Sequence, residues 1–212
     1  MPAPQECDYD AILSHPTAKS MVEHTLAMID EKGGCKGVNL RQIAARCECA
    51  HTNTYNYFRS FDQLLWAAMI HSLRSMGEKV DQALQLQVSS MPPLRAFFKV
   101  QLDYALDHPG QYRLFWMEPL KGEVPAEVLS ILESMRQRWW AFLSAQLNLT
   151  LSPELMTRMG HLIHGYFHGE ICKNIARPAF IARPGVDERE RVLDNVVALV
   201  DVLHRNPSVL GD

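Results

Sequence analysis

The sequence predicts an all-α protein, with an N-terminal three-helix unit of the helix-turn-helix type and a larger helical body behind it. Three observations predict this. Apolar residues recur at spacings of three and four almost throughout, without the alternation of a half-buried strand. Gly-Gly, Pro-Pro and Ser-Pro-Glu fall where helices should stop and start. The stretch IAARCECAHTNTYNYF, Ile43 to Phe58, sets a small apolar helix directly ahead of a polar one.

Residues 1–15 read as a polar leader. Pro16 and Thr17 open a first helix with Met21, Thr25, Met28 and Ile29 on one side, and Gly33-Gly34 end it. Asn39 is an N-cap for a second helix, Leu40 to about Cys47. A third spans about Ala50 to Phe58, and a fourth begins at Asp62, read as its N-cap, with Leu64, Leu65, Ala68 and Met69 on it.

Pro92-Pro93 start a helix carrying Leu94, Phe97, Phe98, Leu102, Ala105 and Leu106, which stops at His108-Pro109-Gly110. A short segment, Gln111 to Met117, and a loop, Glu118 to Pro125, follow. Val128, Leu132, Met135, Trp139 and Leu143 mark the next amphipathic helix. Ser152 and Pro153 occupy the N-cap and first position of another, running to about Arg177. The tetrapeptide IARP occurs at Ile175 and again at Ile181, and reads as a proline-punctuated loop. Asp187 caps a last helix, with Glu190 three residues on as in a capping box, and Leu193, Val196, Val197, Val200 and Leu203 as its aliphatic face. The expected organisation is a leader, 1–15, a head, 16–62, and a body, 63–212.

Composition narrows the function classes. A formal charge of -3 over 212 residues is no polyelectrolyte, so any nucleic-acid surface is local. Residues 16–60 hold Lys19, Lys32, Lys36, Arg41, Arg46 and Arg59 against Glu23, Asp30, Glu31 and Glu48, a small cationic excess. That implies a weak electrostatic contribution to DNA affinity and reliance on a dimer. The five cysteines, Cys7, Cys35, Cys47, Cys49 and Cys172, form no C-x-x-C pair and read as reduced cytoplasmic thiols. The start MPAPQECDYD has no apolar core of a signal peptide, and no apolar run is long enough for a membrane span. A cytoplasmic protein without membrane association is expected. No paired carboxylates, nucleophile elbow or glycine-rich phosphate loop stands out, so no enzyme and no cofactor is expected.

A helix-turn-helix needs a short second helix with an apolar inner face, which Ile43 and Ala44 supply. Its third helix must bury one stripe, here Thr54 and Phe58, and offer the other to a major groove: His51, Thr52, Asn53, Tyr55 and Asn56. Asn pairs bidentately with adenine, and Thr methyls meet thymine methyls. Tyr hydroxyls, amides and helix N-termini hold phosphates.

Gly37-Val38-Asn39-Leu40-Arg41-Gln42-Ile43-Ala44, then Tyr55-x-Tyr57-Phe58 and Asp62-Gln63-Leu64-Leu65, resemble the DNA-binding domain of TetR-type regulators. The resemblance covers about 50 residues. It departs from the family's pattern at Glu48, which replaces the turn glycine, at Ala50, which replaces a capping serine, and at His51 and Phe61, which replace lysines. It implies Asn39, Arg41, His51, Thr52, Asn53, Tyr55, Asn56, Tyr57 and Arg59 as DNA-contacting residues. The segment His108 to Phe115 and the pair His164-Gly165, with Ile163 where a Trp-His-Gly-type motif has Trp, resemble C-terminal regulatory domains of the same family. That implies a small-molecule effector, a homodimer formed through the last two long helices, and repression at a palindromic double-stranded DNA operator. Helix 63–79 would then act as the lever between head and body.

Candidate effector contacts are Tyr104, Phe115, Trp116, Trp139, His161, His164, Tyr166 and His168, since pockets are mainly apolar with few polar groups. At helical spacing most such aromatics are plain core. His161, His164, His168 and Cys172 lie on one stripe of a helix, and imidazole with thiolate also suits zinc, copper or haem iron. A metal- or haem-sensing regulator is therefore the second reading, and a His-dependent helical enzyme a more remote third. The favoured role for these histidines is hydrogen bonding, in the core or to a ligand.

Overall fold

The computed structural model describes residues 7–85, 91–147, 151–176 and 178–211. Among them the α-helices are α1 (Tyr9–Ser14), α2 (Pro16–Lys32), α3 (Leu40–Arg46), α4 (Phe61–Gln85), α5 (Pro93–Asp107), α6 (Pro109–Trp116), α7 (Ala126–Leu147), α8 (Pro153–Ala176), α9 (Pro178–Ile181) and α10 (Glu188–Arg205). Two 3-10 helices, His51–Asn56 and Pro207–Leu210, complete them, and no strand occurs among the described residues. The all-α expectation is met. No described helix is long and apolar enough to cross a membrane. Residues 1–6 of the leader and the helix end expected at Arg177 lie outside the described residues.

Two compact units emerge. One takes in the chain up to Ser75 together with His108–Glu133, and the other holds Met76–Asp107 with the chain from Ser134 onward. The head, 16–62, falls within the first unit. Helices α4 and α7 each run from one unit into the other.

In the first unit, α2 buries Ala18, Met21, Val22, Thr25, Leu26, Met28 and Ile29. It ends because Gly33 adopts φ 68°, which lets Gly33 N donate to Asp30 O and Gly34 N to Ile29 O. This is the glycine-terminated C-cap the sequence predicts. Leu64, Leu65, Trp66, Ala67, Ala68, Met69 and Ile70 of α4 are all buried, so this part of α4 runs through the core rather than along it. Trp66 Nε1 donates to the Lys121 carbonyl at 3.1 Å.

Several boundaries differ from expectation. Tyr9–Ser14, within the predicted polar leader, form a helix capped by Asp8. Tyr9 is buried, and Arg74 reaches Asp10 at 2.6 Å, so tertiary contacts order a segment that its composition leaves open. Ser60, not Asp62, caps α4: Gln63 N donates to Ser60 Oγ at 3.1 Å, while Asp62 sits in the first turn. His108-Pro109-Gly110 ends α5 but also begins α6, with Pro109 in its first turn. Gly110 is needed there because a Cβ would meet Ile29 O at 2.2 Å. Asp187 does cap α10, accepting from Arg189 N and Glu190 N. The Glu190 carboxylate, however, does not close a capping box; it pairs with Arg95. The second IARP leads out of the short helix α9.

The second unit is built on α5, α8 and α10. Phe98 meets Phe167 edge to face at 5.2 Å, and Phe97 stacks on Phe142 at 4.7 Å. Each such pair adds about 0.5–1.5 kcal/mol beyond area burial. Gly160 of α8 lets Trp140 lie against the helix backbone, where a Cβ would come within 2.4 Å of the indole. Leu193, Val196, Val200 and Leu203 of α10 are buried, as their spacing predicts, while Val197 is only partly covered and Val192 is buried in addition. Ion pairs lace the exposed rim of α5 to α10: Arg95–Asp194 at 2.5 Å, Arg189–Asp103 at 2.8 Å and Arg189–Asp107 at 2.7 Å. At that exposure each is worth at most about 1 kcal/mol.

Candidate nucleic-acid interface

Asn39 Oδ1 accepts from Gln42 N at 3.1 Å and starts α3, as its type and position predict. Leu40, Ile43 and Ala44 turn inward, which leaves Arg41 exposed on the other side. The turn that follows is a Schellman motif: Glu48 N donates to Ala45 O at 3.2 Å and Cys49 N to Ala44 O at 3.0 Å. Glu48 holds the left-handed position at φ 51°, the one described non-glycine residue with positive φ. The motif that ends α2 on Gly33 thus recurs here on a glutamate. The turn keeps its geometry without glycine, at a cost of about 1 kcal/mol in Cβ–carbonyl strain.

The polar segment is a 3-10 helix, His51–Asn56, not the α-helix expected over Ala50 to Phe58. Two local causes act together. Ala50 at the N-cap has no side-chain acceptor for the first amides, so Asn53 N bonds to Ala50 O at 2.8 Å. Thr54 Oγ1 donates back to the His51 carbonyl at 2.5 Å, a bond that competes with α-helical geometry.

The segment still divides as a reading element must. Thr54 and Phe58 are fully buried, and His51, Thr52, Tyr55 and Asn56 are exposed. Asn53 is half-buried, and its Oδ1 accepts from Asn56 Nδ2 at 2.8 Å, tying the two amides into one polar face. His51 and Tyr55 contact edge to face at 5.5 Å. Tyr57 packs its ring on His15 at 4.7 Å, and His15 Nδ1 caps α2 by accepting from Thr17 N. Arg59 is exposed, and its N–H donates to Gln63 Oε1 at 2.5 Å.

The head's cations are not all available to phosphates. Arg46 forms a two-pronged pair with Glu31, at 2.9 and 2.5 Å. Hydrogen bonding to that guanidinium holds the Glu31 carboxyl below its usual range. Lys32 donates to the Gly37 carbonyl and to Gln42 Oε1, bracing the loop ahead of α3. Lys36 and Arg41 have no carboxylate partner among the described residues.

The residues expected to meet an effector divide between the units. Phe115 and Trp116 lie in the first unit, in ring contact at 4.4 Å, and Trp116 is 42% exposed. Tyr104, Trp139, His161, His164, Tyr166 and His168 lie in the second. Trp139 contacts Trp140 at 4.9 Å and Phe97 at 6.4 Å, inside the aromatic cluster. The Tyr166 hydroxyl is buried with no hydrogen-bond partner among the described residues.

The histidine stripe forms as its spacing predicts. The His164 and His168 rings stack at 5.7 Å, and His168 Nε2 lies 3.3 Å from Cys172 Sγ. Desolvation, then the neighbouring His168 and His161 rings, lower the His164 pKa; desolvation lowers that of His168. Both shifts favour the neutral imidazole. Burial is only partial, since His161 and His164 keep solvent-exposed surface, which departs from a core role. Among the described residues no group of three His, Cys, Asp or Glu side chains is arranged to hold a metal ion.

Sequence reasoning did not find the cluster around Asp30. Its Oδ2 lies 2.9 Å from His108 Nδ1 and accepts from Gln111 Nε2 at 2.7 Å, and its Oδ1 accepts from Gln111 N at 3.1 Å. Ser72 Oγ donates to Gln111 Oε1 at 2.8 Å. The resemblance marks the segment His108 to Phe115, but nothing local links it to Asp30 or Ser72, which lie far away in the chain.

No family model matches the sequence, and no curated protein matches it either. Solved structures share the fold. A TetR-family transcriptional regulator from Streptomyces coelicolor superposes with a TM-score of 0.63 at 12% identity, over 91% of each chain. The superantigen PfiT does so at 0.59 and 14% identity, over 91% of this chain and 97% of its own. The multidrug binding protein EbrR, complexed with imidazole, does so at 0.51 and 16%, over 85% of this chain and 93% of its own. The chain has the fold of these proteins, and one fold carries three differently named activities.

Proposed function

We propose that the protein is a TetR-type transcriptional regulator that binds double-stranded DNA through α3 and the segment His51–Asn56. The observation that carries this reading is the division of that segment: Thr54 and Phe58 are fully buried while His51, Thr52, Tyr55 and Asn56 stand exposed behind a Schellman turn. The shared fold of a named TetR-family regulator supports it. Asn53, Asn56 and Thr52 read base edges; Arg41, Tyr55, Tyr57, His51 and Arg59 hold phosphates, and Asn39 sets the register of α3.

The protein acts as a homodimer on a palindromic operator, joined through α8 and α10. Leu162 on α8 is 50% exposed and Val202 on α10 53%, each a large apolar side chain left uncovered on an amphipathic helix. Gly165 and Gly169 have open space where a side chain would stand, so a partner helix can approach α8 closely. Leu162→Arg should convert dimer to monomer in analytical ultracentrifugation; an unchanged sedimentation coefficient would remove α8 from the interface.

A small apolar effector in the body, near Tyr104, Trp139 and the buried, unpartnered Tyr166 hydroxyl, releases the DNA. It does so only as far as it prefers the non-binding arrangement of the heads. Helix α4, continuous across the boundary between the units, is the lever. The experiment is selection from a random duplex pool, then affinity against salt. An enriched inverted repeat with a shallow salt dependence, weakened by Tyr55→Ala, is the expected result. A folded protein that enriches nothing at low salt would refute the reading.

A further inference from the structure

The turn between α3 and the reading segment is Cys47-Glu48-Cys49. Both thiols are partly exposed and unlinked. The residue between them is left-handed, at φ 51°, and is closed on both sides by the hydrogen bonds of the Schellman motif. A single left-handed residue is compact backbone, and it leaves the flanking Cα atoms about 5.5 Å apart, inside the window that a disulfide spans. Cys35 has different surroundings: it is more deeply desolvated, and its backbone amide donates to Glu118 Oε1.

We propose that Cys47 and Cys49 form a reversible intramolecular disulfide that disables the reading segment, which makes the turn a thiol-oxidation site acting on the proposed DNA-binding function. The oxidant is a hydroperoxide. The Cys49 thiolate attacks the distal peroxide oxygen, an S–O bond forms, the O–O bond breaks and water or an alcohol leaves. Cys47 then attacks the Cys49 sulfenic sulfur, the S–S bond forms and water leaves with the second proton. The balance is two thiols and one peroxide to one disulfide and two hydroxyl products. Cys47 takes the second role because burial pushes its thiol up, followed by the nearby Cys49, against a hydrogen bond with Ser20. A ring this small is strained, and strained disulfides are readily reduced again.

The consequence follows from position. Cys47 is the C-cap of α3, and Cys49 is the residue before the Ala50 N-cap of the reading segment. Drawing their sulfurs together must change the backbone at Glu48, and with it the angle between α3 and the segment it positions.

The test uses the full chain. Tryptic cleavage after Arg46 and Arg59 releases both cysteines on one peptide, so a bond between them appears as a loss of about 2 Da on that peptide. The expected result on hydrogen peroxide treatment has three parts: that mass loss, faster hydrogen exchange across residues 40–58, and a fall of about tenfold or more in affinity for the selected duplex. Dithiothreitol should reverse all three. Cys47→Ser and Cys49→Ser should each bind DNA as the reduced protein does and ignore peroxide. Peroxide that leaves the peptide mass unchanged overturns the proposal, and so does a disulfide that alters neither exchange nor affinity. If the reduced protein binds no duplex, the DNA-binding reading fails, and mass and exchange still decide whether the turn is a thiol switch.

Discussion

Asp30 and His108 are 78 residues apart in sequence, and Asp30 Oδ2 lies 2.9 Å from His108 Nδ1. The contact welds the last turn of α2 to the first residues of α6. Gly110 brings the two backbones together, and Gln111 spans from Asp30 to Ser72 of α4. The head therefore does not end with its own helices, because α6 is part of the same compact unit.

Asp30→Ala should destabilise the protein by about 2–3 kcal/mol, because it removes the carboxylate that accepts from Gln111 N and Nε2, in a residue only 8% exposed, and that faces the His108 ring. Asp30→Asn keeps an acceptor and should cost clearly less. Urea unfolding of both variants checks this, and equal losses would show that packing at Gly110, rather than the carboxylate, holds the junction.

Ala50→Ser should restore a side-chain acceptor at the start of the reading segment and stabilise it by about 1 kcal/mol. The gain should appear as slower hydrogen exchange at Asn53 and Thr54 and as tighter DNA binding. Tighter exchange without tighter binding would mean that the 3-10 form is the one that reads DNA.

Glu48→Gly removes the strain of a left-handed glutamate but adds freedom to the unfolded chain. A net gain of about 0.5–1 kcal/mol in thermal or urea unfolding is expected. A loss would mean that the glutamate side chain contributes more than the backbone strain costs.

Glu170 is buried on α8 and takes hydrogen bonds of 2.6 Å from both Lys173 and Arg191. Burial alone would raise its pKa, but the two cations outweigh burial and hold it below the usual range. A carboxylate with a depressed folded pKa contributes stability above the ordinary glutamate value of about 4.3, and that contribution is lost as pH falls through the lower folded value. Stability plotted against pH should therefore fall less steeply on the acid side in Glu170→Gln than in the wild type. Parallel acid limbs would show that other carboxylates dominate.

The legible parts of the candidate interface are those set by near neighbours in the chain. Asn39 as cap, Thr54 and Phe58 as buried stripe and His51, Thr52, Tyr55 and Asn56 as exposed face all follow from spacing within one or two turns. The 3-10 form was not legible, although its causes, Ala50 and the Thr54 back-bond, are local. Periodicity over six residues does not separate 3-10 from α geometry. Trp139 is a candidate for a pocket although its spacing reads more often as core, and its contacts with Phe97 and Trp140 put it in the aromatic cluster.

The sequence by itself determined the helical class, most helix limits and the two-faced segment His51–Asn56. Proline, glycine and capping side chains act through backbone groups a few residues away, so their effect is written next to them. Tertiary structure alone decided that Tyr9–Ser14 fold, that Glu190 pairs with Arg95 rather than closing a capping box, and that Asp30 joins His108. These depend on which distant surfaces meet. A charged or polar side chain has many equivalent local partners, and only the packed chain selects one.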